Sequence, residues 1–207
     1  MDDPQLRKRL ERMLKVSSEF KLLNVYANGA AAMVHLPKQA PGLLLADLKL
    51  PGMRGAAIVA QTRATLPTVP IVVCAADEDV PAILQAIRAG ANGYVSHDAD
   101  DEAILAELHA VRLGGATLTP AVAEAILNLQ TSRRFHSPVR GEGLTPRELE
   151  ILNPIALGFG YAEIAERLKI DVAEVRAHIA QVYRKLVSAN TRPMAETPAP
   201  TRKLRLI

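Results

Sequence analysis

Hydrophobic and polar positions divide this chain into two regimes. Over the first 115 residues, short apolar runs alternate with stretches of helical period. Leu6, Leu10, Met13 and Leu14 recur at helical spacing and predict an opening helix over Asp2 to Lys15. Lys21 to Tyr26 reads as a short strand, and Asn28 to Leu36 as a helix that Asn28 is placed to cap. Gly42 to Asp47 is a continuous apolar run closed by an acid, with the breaker Pro51-Gly52 soon after. Such a run suits a strand buried on both faces. Helix over Ala56 to Thr65, strand over Pro70 to Cys74, helix over Pro81 to Ala89, strand over Gly93 to Ser96 and helix over Asp101 to Leu113 follow. The alternation predicts an α/β, doubly wound parallel sheet covered on both sides.

Thr117 to Gln130 reads as a connecting helix, and Thr131 to Gly143, polar with one Pro and two Gly, as a linker. Beyond it the period is purely helical. Thr145 is placed to cap, Pro146 to take the first helical position and Glu148 to complete a capping box. Tyr161 to Leu168 and Val172 to Val187, the latter capped by Asp171, supply two further helices. Three short helices in about 45 residues suit a helix-turn-helix module. Pro154, inside the first of them, predicts a kink or a later start.

Composition removes several functions. The chain is 49% apolar and 23% charged, which excludes wholesale disorder. With 3% aromatic residues and no Trp, stacking platforms for single-stranded nucleic acid are not expected. A net charge of +3 is too small to mark a nucleic-acid binder by itself. The single cysteine, Cys74, rules out an intramolecular disulfide and suits a reducing cytoplasm. No apolar run reaches about 18 residues, and the acidic start Met1-Asp2-Asp3 is unlike a signal peptide, so a soluble protein without a membrane span is expected. Zinc-ligand spacing, GxSxG, HExxH and Gly-rich phosphate loops do not occur, so no enzyme class is indicated.

Asp47 ends a buried parallel strand, where doubly wound sheets open their ligand crevice. Asp2 and Asp3 form a second acidic pair just before a helix. Three carboxylates gathered there repel unless a cation neutralises them, and hard oxygen donors suit Mg²⁺. The plainer alternative is solvated acids at the ends of a strand and a helix.

Longer motifs add to this. Leu43-Leu-Leu-Ala-Asp-Leu-Lys-Leu-Pro-Gly-Met-Arg-Gly55, Ala86-Ile-Arg-Ala-Gly-Ala-Asn-Gly-Tyr94 and Leu144-Thr-Pro-Arg-Glu-Leu-Glu-Ile-Leu152 stand in this order, followed by Glu163-Ile-Ala-Glu-Arg-Leu168 and Val175-Arg-Ala-His178. The chain resembles response regulators of the NarL/FixJ type over nearly its whole length. The resemblance implies a flavodoxin-like receiver over 1–115, a connector helix and linker over 116–143, a LuxR-type helix-turn-helix over 144–189 and a Pro-rich linker over 190–202. It implies that Asp47 accepts a phosphoryl group from a partner histidine kinase, and that Asp2, Asp3, Asp47 and the carbonyl of Lys49 hold Mg²⁺. Three switch positions qualify this. Ala75 stands where the family has Thr or Ser, His97 stands where it has Lys, and Tyr94 matches the aromatic position. The expectation is a degenerate receiver, phosphorylated weakly or acting without phosphorylation.

The family's first strand lies centrally in the sheet and precedes the acidic pair, yet only Met1 precedes Asp2 here. Thr201-Arg-Lys-Leu-Arg-Leu-Ile207 alternates and ends apolar. Read head to tail, Lys203 to Ile207 followed by Met1 to Pro4 reproduces that strand and its acids, so the order looks circularly permuted, with Met194 to Ile207 belonging before Met1. Leu204 to Ile207 is therefore expected to form a buried parallel strand between the strands at Leu22 to Tyr26 and Leu43 to Asp47, from the same chain or swapped from a neighbour. The alternative is a frayed tail.

In a helix-turn-helix the second helix of the motif enters the major groove of double-stranded DNA. Family resemblance aims Arg176, Ala177 and Ala180 at bases, with Arg176 suited to guanine. His178, Arg184 and Lys185 suit phosphates. From Gly141 to Arg192 seven basic residues balance seven acids, and Glu174 adds a negative charge at the groove-facing end. Pro193, Pro198 and Pro200 leave little length for a dimerising helix, so a homodimer would rest on receiver contacts. The expected function is a transcription regulator. The alternatives are a helix merely packed in a bundle and a protein-interaction adaptor that has lost DNA binding.

Overall fold

A computed structural model of the chain describes residues 3–39, 41–50, 53–76, 79–131, 143–188 and 203–206. In the receiver half, helix α1 (Pro4–Val16), strand β1 (Lys21–Val25), helix α2 (Gly29–His35) and strand β2 (Leu43–Asp47) come first. A short antiparallel ribbon of β3 (Lys49–Leu50) and β4 (Met53–Arg54), which periodicity does not announce, leads into α3 (Gly55–Thr65). Strand β5 (Ile71–Ala75), α4 (Val80–Ala89), β6 (Gly93–Ser96) and α5 (Asp101–Arg112) follow. Then come α6 (Pro120–Thr131), α7 (Pro146–Ala156), α8 (Tyr161–Leu168), α9 (Val172–Ser188) and finally β7 (Lys203–Leu206).

The main sheet has the order β1-β7-β2-β5-β6, and every pairing in it is parallel. Strand β7 thus lies inside the sheet, between β1 and the central β2. Leu204 pairs with Leu22 on one side and Leu43 on the other, and Arg205 lies opposite Leu44. The pairing is within one chain, so no swap is needed to fill the position. Ile207, the end of the expected strand, lies outside the described residues, as do Met1, Asp2, the Pro-rich stretch and most of the expected linker.

All five residues of β2 are buried, and their alternation sorts the core into two layers. Leu43 and Leu45 join Leu204, Leu10, Leu14 and Leu108 on the α1–α5 side. Leu44 and Ala46 join Ile58, Ile83 and Ile87 on the α3–α4 side. That second layer continues without a break through Val122 and Ile126 of α6 to Ile151, Ile164 and Ile179 of the helical module. One apolar body therefore joins sheet and module.

Local chemistry explains the element ends. Asp3 caps α1 by accepting from the N–H groups of Gln5 at 2.7 Å and Leu6 at 3.2 Å. Asn28 caps α2 through the Ala31 N–H at 2.8 Å. Helix α4 ends on Gly90 at φ 112, a left-handed C-cap that glycine takes without a Cβ penalty. The capping box of α7 is formed: Glu148 N–H donates to Thr145 Oγ1 at 3.2 Å, and Thr145 N–H donates to Glu148 Oε2 at 2.7 Å. Pro154 does not delay the start of α7, which is assigned as helix from Pro146 through Ala156. It sits in the last turn, where the missing N–H costs one bond near an end that Leu157 and Phe159 close by donating to the Asn153 and Pro154 carbonyls.

The inner place of β7, bonded on both sides, makes a direct prediction. Leu204→Ala, at a fully buried position, should destabilise the chain by about 2–5 kcal/mol in denaturant unfolding. Deleting Lys203 to Leu206 should abolish amide protection in β1 and β2. Unchanged protection there would show that β7 is dispensable.

Candidate functional site

At the carboxyl ends of the strands, Asp47 closes β2 and is 1% exposed. Its Oδ1 accepts from the Lys49 N–H at 2.9 Å and faces His97 Nε2 at 3.5 Å, the outer edge of hydrogen bonding. His97 follows β6 and is anchored by its N–H to the Ala75 carbonyl at 2.9 Å. Burial pushes the Asp47 carboxyl up, but His97 and the Lys49 N–H pull harder, and the net shift is downward. The same contact raises His97 above its ordinary value, against the opposing effect of burial. His97 thus lies against the acid, and the acid favours its protonated form.

The other switch positions are closed in. Ala75 is 1% exposed and carries no hydroxyl, while Tyr94 is turned into the core. Asp3 caps α1, Asp2 lies outside the described residues, and among the described residues no three acids, His or Cys gather as a metal cluster. Burial and the Asp47 charge hold the Cys74 thiol well above its ordinary value, so it is a packing group. The sequence does not point to Arg9. Its Nε donates to Asp101 Oδ1 at 2.7 Å, and its guanidinium also reaches the carbonyls of Ala99 and His97. It pins α1 to the loop that carries His97.

The second site is α9. Asp171 caps it through the Glu174 N–H at 2.7 Å. Arg176, expected at a guanine, is turned toward the receiver: its Nη1 lies 3.4 Å from Glu107 Oε2 on α5, and its guanidinium stands over the Tyr161 ring at 5.1 Å. The Arg176 carbonyl accepts from Ala116 N–H at 3.1 Å. Glu107 is 6% exposed, and burial, opposed by Thr117 and Arg176, pushes its carboxyl up to about 7. A charge pair that spans the two halves of the chain leaves no local signal in the sequence.

The remaining expected DNA contacts divide. Ala177 and Arg184 are exposed. Ala180 is partly buried and packs against the apolar core. Lys185 bonds Glu148 Oε2 at 2.7 Å and the Gly143 carbonyl at 3.2 Å, tying α9 to the capping box of α7. His178 is half-buried, with Nε2 3.9 Å from Glu174 Oε1. The outward face of α9 is Ala173, Glu174, Ala177, Gln181 and Arg184. Gln181, one turn after Ala177, is the residue that helical period marks and motif matching overlooks. A cleft of about 770 Å³ separates the amino end of α9 (Val172, Ala173, Arg176, Ala177) from α5 and Glu19.

Comparison with known proteins assigns both halves of the chain to families. Residues 1–109 match the response regulator receiver domain, and residues 142–195 match the bacterial regulatory proteins of the luxR family. The chain is 31% identical over 198 residues to the probable transcriptional regulatory protein NarL of Mycobacterium tuberculosis, covering 94% of this chain and 89% of that one. It is 28% identical over 185 residues to the nitrate/nitrite response regulator protein NarL of Escherichia coli, covering 89% and 86%. Among solved structures, the RcsB response regulator of Salmonella typhimurium superposes with a TM-score of 0.54 at 20% identity, covering 89% of this chain and 88% of that one. A LuxR-family response regulator of Aurantimonas gives 0.56 at 22%, covering 63% and 93%. With its parallel receiver sheet, its strand-end aspartate and its three-helix module, the chain belongs to the LuxR-type response regulators of two-component systems, which are DNA-binding transcription regulators and not enzymes.

Proposed function

We propose that this regulator holds its own recognition helix against its receiver, and that phosphorylation of Asp47 is slow or absent. The observation that carries the reading is the Arg176–Glu107 contact at 3.4 Å, which engages the expected base-reading guanidinium within the protein. A duplex is about 20 Å across and its major groove about 12 Å wide, so α9 enters it only after the cleft beside α5 opens. Opened modules, brought together in a receiver-mediated homodimer, would read a two-fold site in the cytoplasm.

At the receiver, the Asp3 and Asp47 carboxylates are held by backbone hydrogen bonds, and with Asp2 and the Lys49 carbonyl they would hold Mg²⁺. That ion would offset charge on a phosphoryl group arriving from a histidine kinase. Ala75 offers such a group no hydroxyl. His97 already lies 3.5 Å from Asp47 and must shift to face a phosphoryl group carried there. The module's balanced charge favours a second reading, a protein-interaction adaptor. Salt-dependent mobility shifts on genomic fragments separate the two, since even non-specific DNA binders reach ~10⁻⁴–10⁻⁶ M.

Three outcomes follow from closure and from the altered acceptor site. Incubation with acetyl phosphate and Mg²⁺ should label Asp47 slowly, by mass spectrometry against Asp47→Asn, and Ala75→Thr with His97→Lys should increase labelling; rapid stoichiometric labelling of the wild type would refute this. A Cβ on Gly115 meets Arg176 Cβ at 3.1 Å and the Ala110 carbonyl at 3.2 Å. Gly115→Val should therefore wedge the cleft and raise DNA affinity several-fold, whereas equal or weaker binding argues against closure as a restraint. Glu107 binds its proton more tightly when buried, so its contribution to stability is present below its ordinary value of 4.5 and is lost as pH rises through about 7. Glu107→Gln should flatten the fall in thermal stability between those limits, an effect of at most about 3 kcal/mol; parallel profiles for variant and wild type would contradict the assignment.

A further inference from the structure

The positive charge of this chain is concentrated away from its DNA-reading module. Over residues 143–188 six basic side chains meet six acidic ones. Five of the six basic groups are engaged within the protein. Arg147 pairs with Glu150 at 3.0 Å, Lys185 with Glu148 at 2.7 Å and Arg176 with Glu107 at 3.4 Å, while Arg167 stands over the Phe159 ring at 5.2 Å. Arg184 also has a partner. Duplex affinity comes largely from basic side chains that displace counterions from phosphates, and this module offers few.

Helix α1 is the opposite case. Five basic residues against the single acid Glu11 give it a net charge of +4, more than the +3 of the whole chain. Its inner face is Leu6, Leu10, Met13 and Leu14, all buried. Arg9 is turned onto Asp101, and Arg7 approaches Glu11 at 3.9 Å. Lys8, Arg12 and Lys15 stand at i, i+4 and i+7 on one outward face, and all three are exposed. Lys15 keeps 67% of its side chain in solvent while lying 3.9 Å from Glu11.

The stripe is about 10 Å long at ~1.5 Å per residue. That matches about three phosphates of one strand at ~3.4 Å of helix axis each. Its position fits as well. Glu19, four residues beyond Lys15, lines the cleft together with Val172, Ala173 and Arg176 at the amino end of α9. The chain therefore runs from the carboxyl end of the stripe, within four residues, to the edge of the opening at which the recognition helix starts.

We propose that Lys8, Arg12 and Lys15 of α1 form a second DNA-contact surface, which grips backbone phosphates beside the site that α9 reads. This rests on the DNA-binding reading above. The stripe supplies sequence-independent affinity, and the module supplies the choice of site.

The test is a salt titration of DNA binding by the full chain, over roughly 50 to 200 mM, with specific and random duplexes. The triple variant Lys8→Gln, Arg12→Gln, Lys15→Gln should make the slope of log K against log salt shallower by about 2 to 3 units, since each lost phosphate contact removes about 0.9. The loss should be equal on both duplexes, with an unchanged melting temperature. Lys38→Gln, also exposed, should leave the slope as it is. A triple variant that retains the slope of a DNA-binding wild type overturns the stripe alone. A wild type without salt-dependent binding overturns the DNA reading and the stripe together.

Discussion

The pairing of β7 with both β1 and β2 is the interaction on which the receiver depends. Strand β2 is buried on both faces, and on one side β5 satisfies its backbone through the register Leu44–Ile71 to Asp47–Cys74. Its other side needs a partner, because a buried strand edge leaves a row of amides and carbonyls without bonds. Residues 203–206 supply it. The strand also separates the two core layers, with Leu204 facing α1 and α5 while its neighbour Arg205 is fully buried. The Arg205 guanidinium stands over the Tyr26 ring at 5.5 Å, and Tyr26 in turn stacks on His35 at 5.8 Å. The position of Asp47 is thus set by a strand about 160 residues away in the chain, which is a demanding, non-local contact to form.

Buried charge in this molecule is consistently used to join elements. Arg63 donates to the carbonyls of Pro67, Val69 and Gly90 and to Asn92 Oδ1, which fixes α3 to the ends of β5 and α4. Burial lowers its guanidinium to about 10, still far above neutrality, so the tie holds at any working pH. Glu148, 1% exposed, closes its capping box and anchors Lys185 of α9. Glu107 does the same between receiver and module, but with a carboxyl that titrates near neutrality. Paired buried charges of this kind fix geometry more surely than they add stability.

The parts legible in the sequence were those written in local chemistry. Apolar periods and caps at Asn28, Thr145 and Asp171 located the helices to within a few residues, because a cap is one side chain acting on its next few amides. The acid ending an apolar run located Asp47, and the alternation of Lys203 to Leu206 located β7. Orientation was less accessible. The motif placed Ala180 and Lys185 on the DNA side of α9, yet one packs inward and the other bonds a glutamate from α7. Pro154 was legible as a fault but not in its consequence, which depends on how near the helix end it falls. The Glu107–Arg176 contact and the Arg9 anchor were out of reach, since each joins residues 69 or more positions apart without a pattern at either end.

Because β7 follows α9 in the chain, the helical module is an insertion within the receiver and not an appendage at its end. The chain leaves the sheet after α5, builds α6 to α9 and must return to the sheet's interior. The usual dissection, in which a regulator is cut at its linker into a receiver and an effector fragment, therefore has no counterpart here. A fragment ending before the module lacks an inner strand, and one beginning at the module carries that strand away with it. A single nick in the linker would leave two pieces interlocked by backbone hydrogen bonds. Recombination that exchanges the effector of this chain cannot splice at one junction; it needs two, and both must preserve the path back to the sheet.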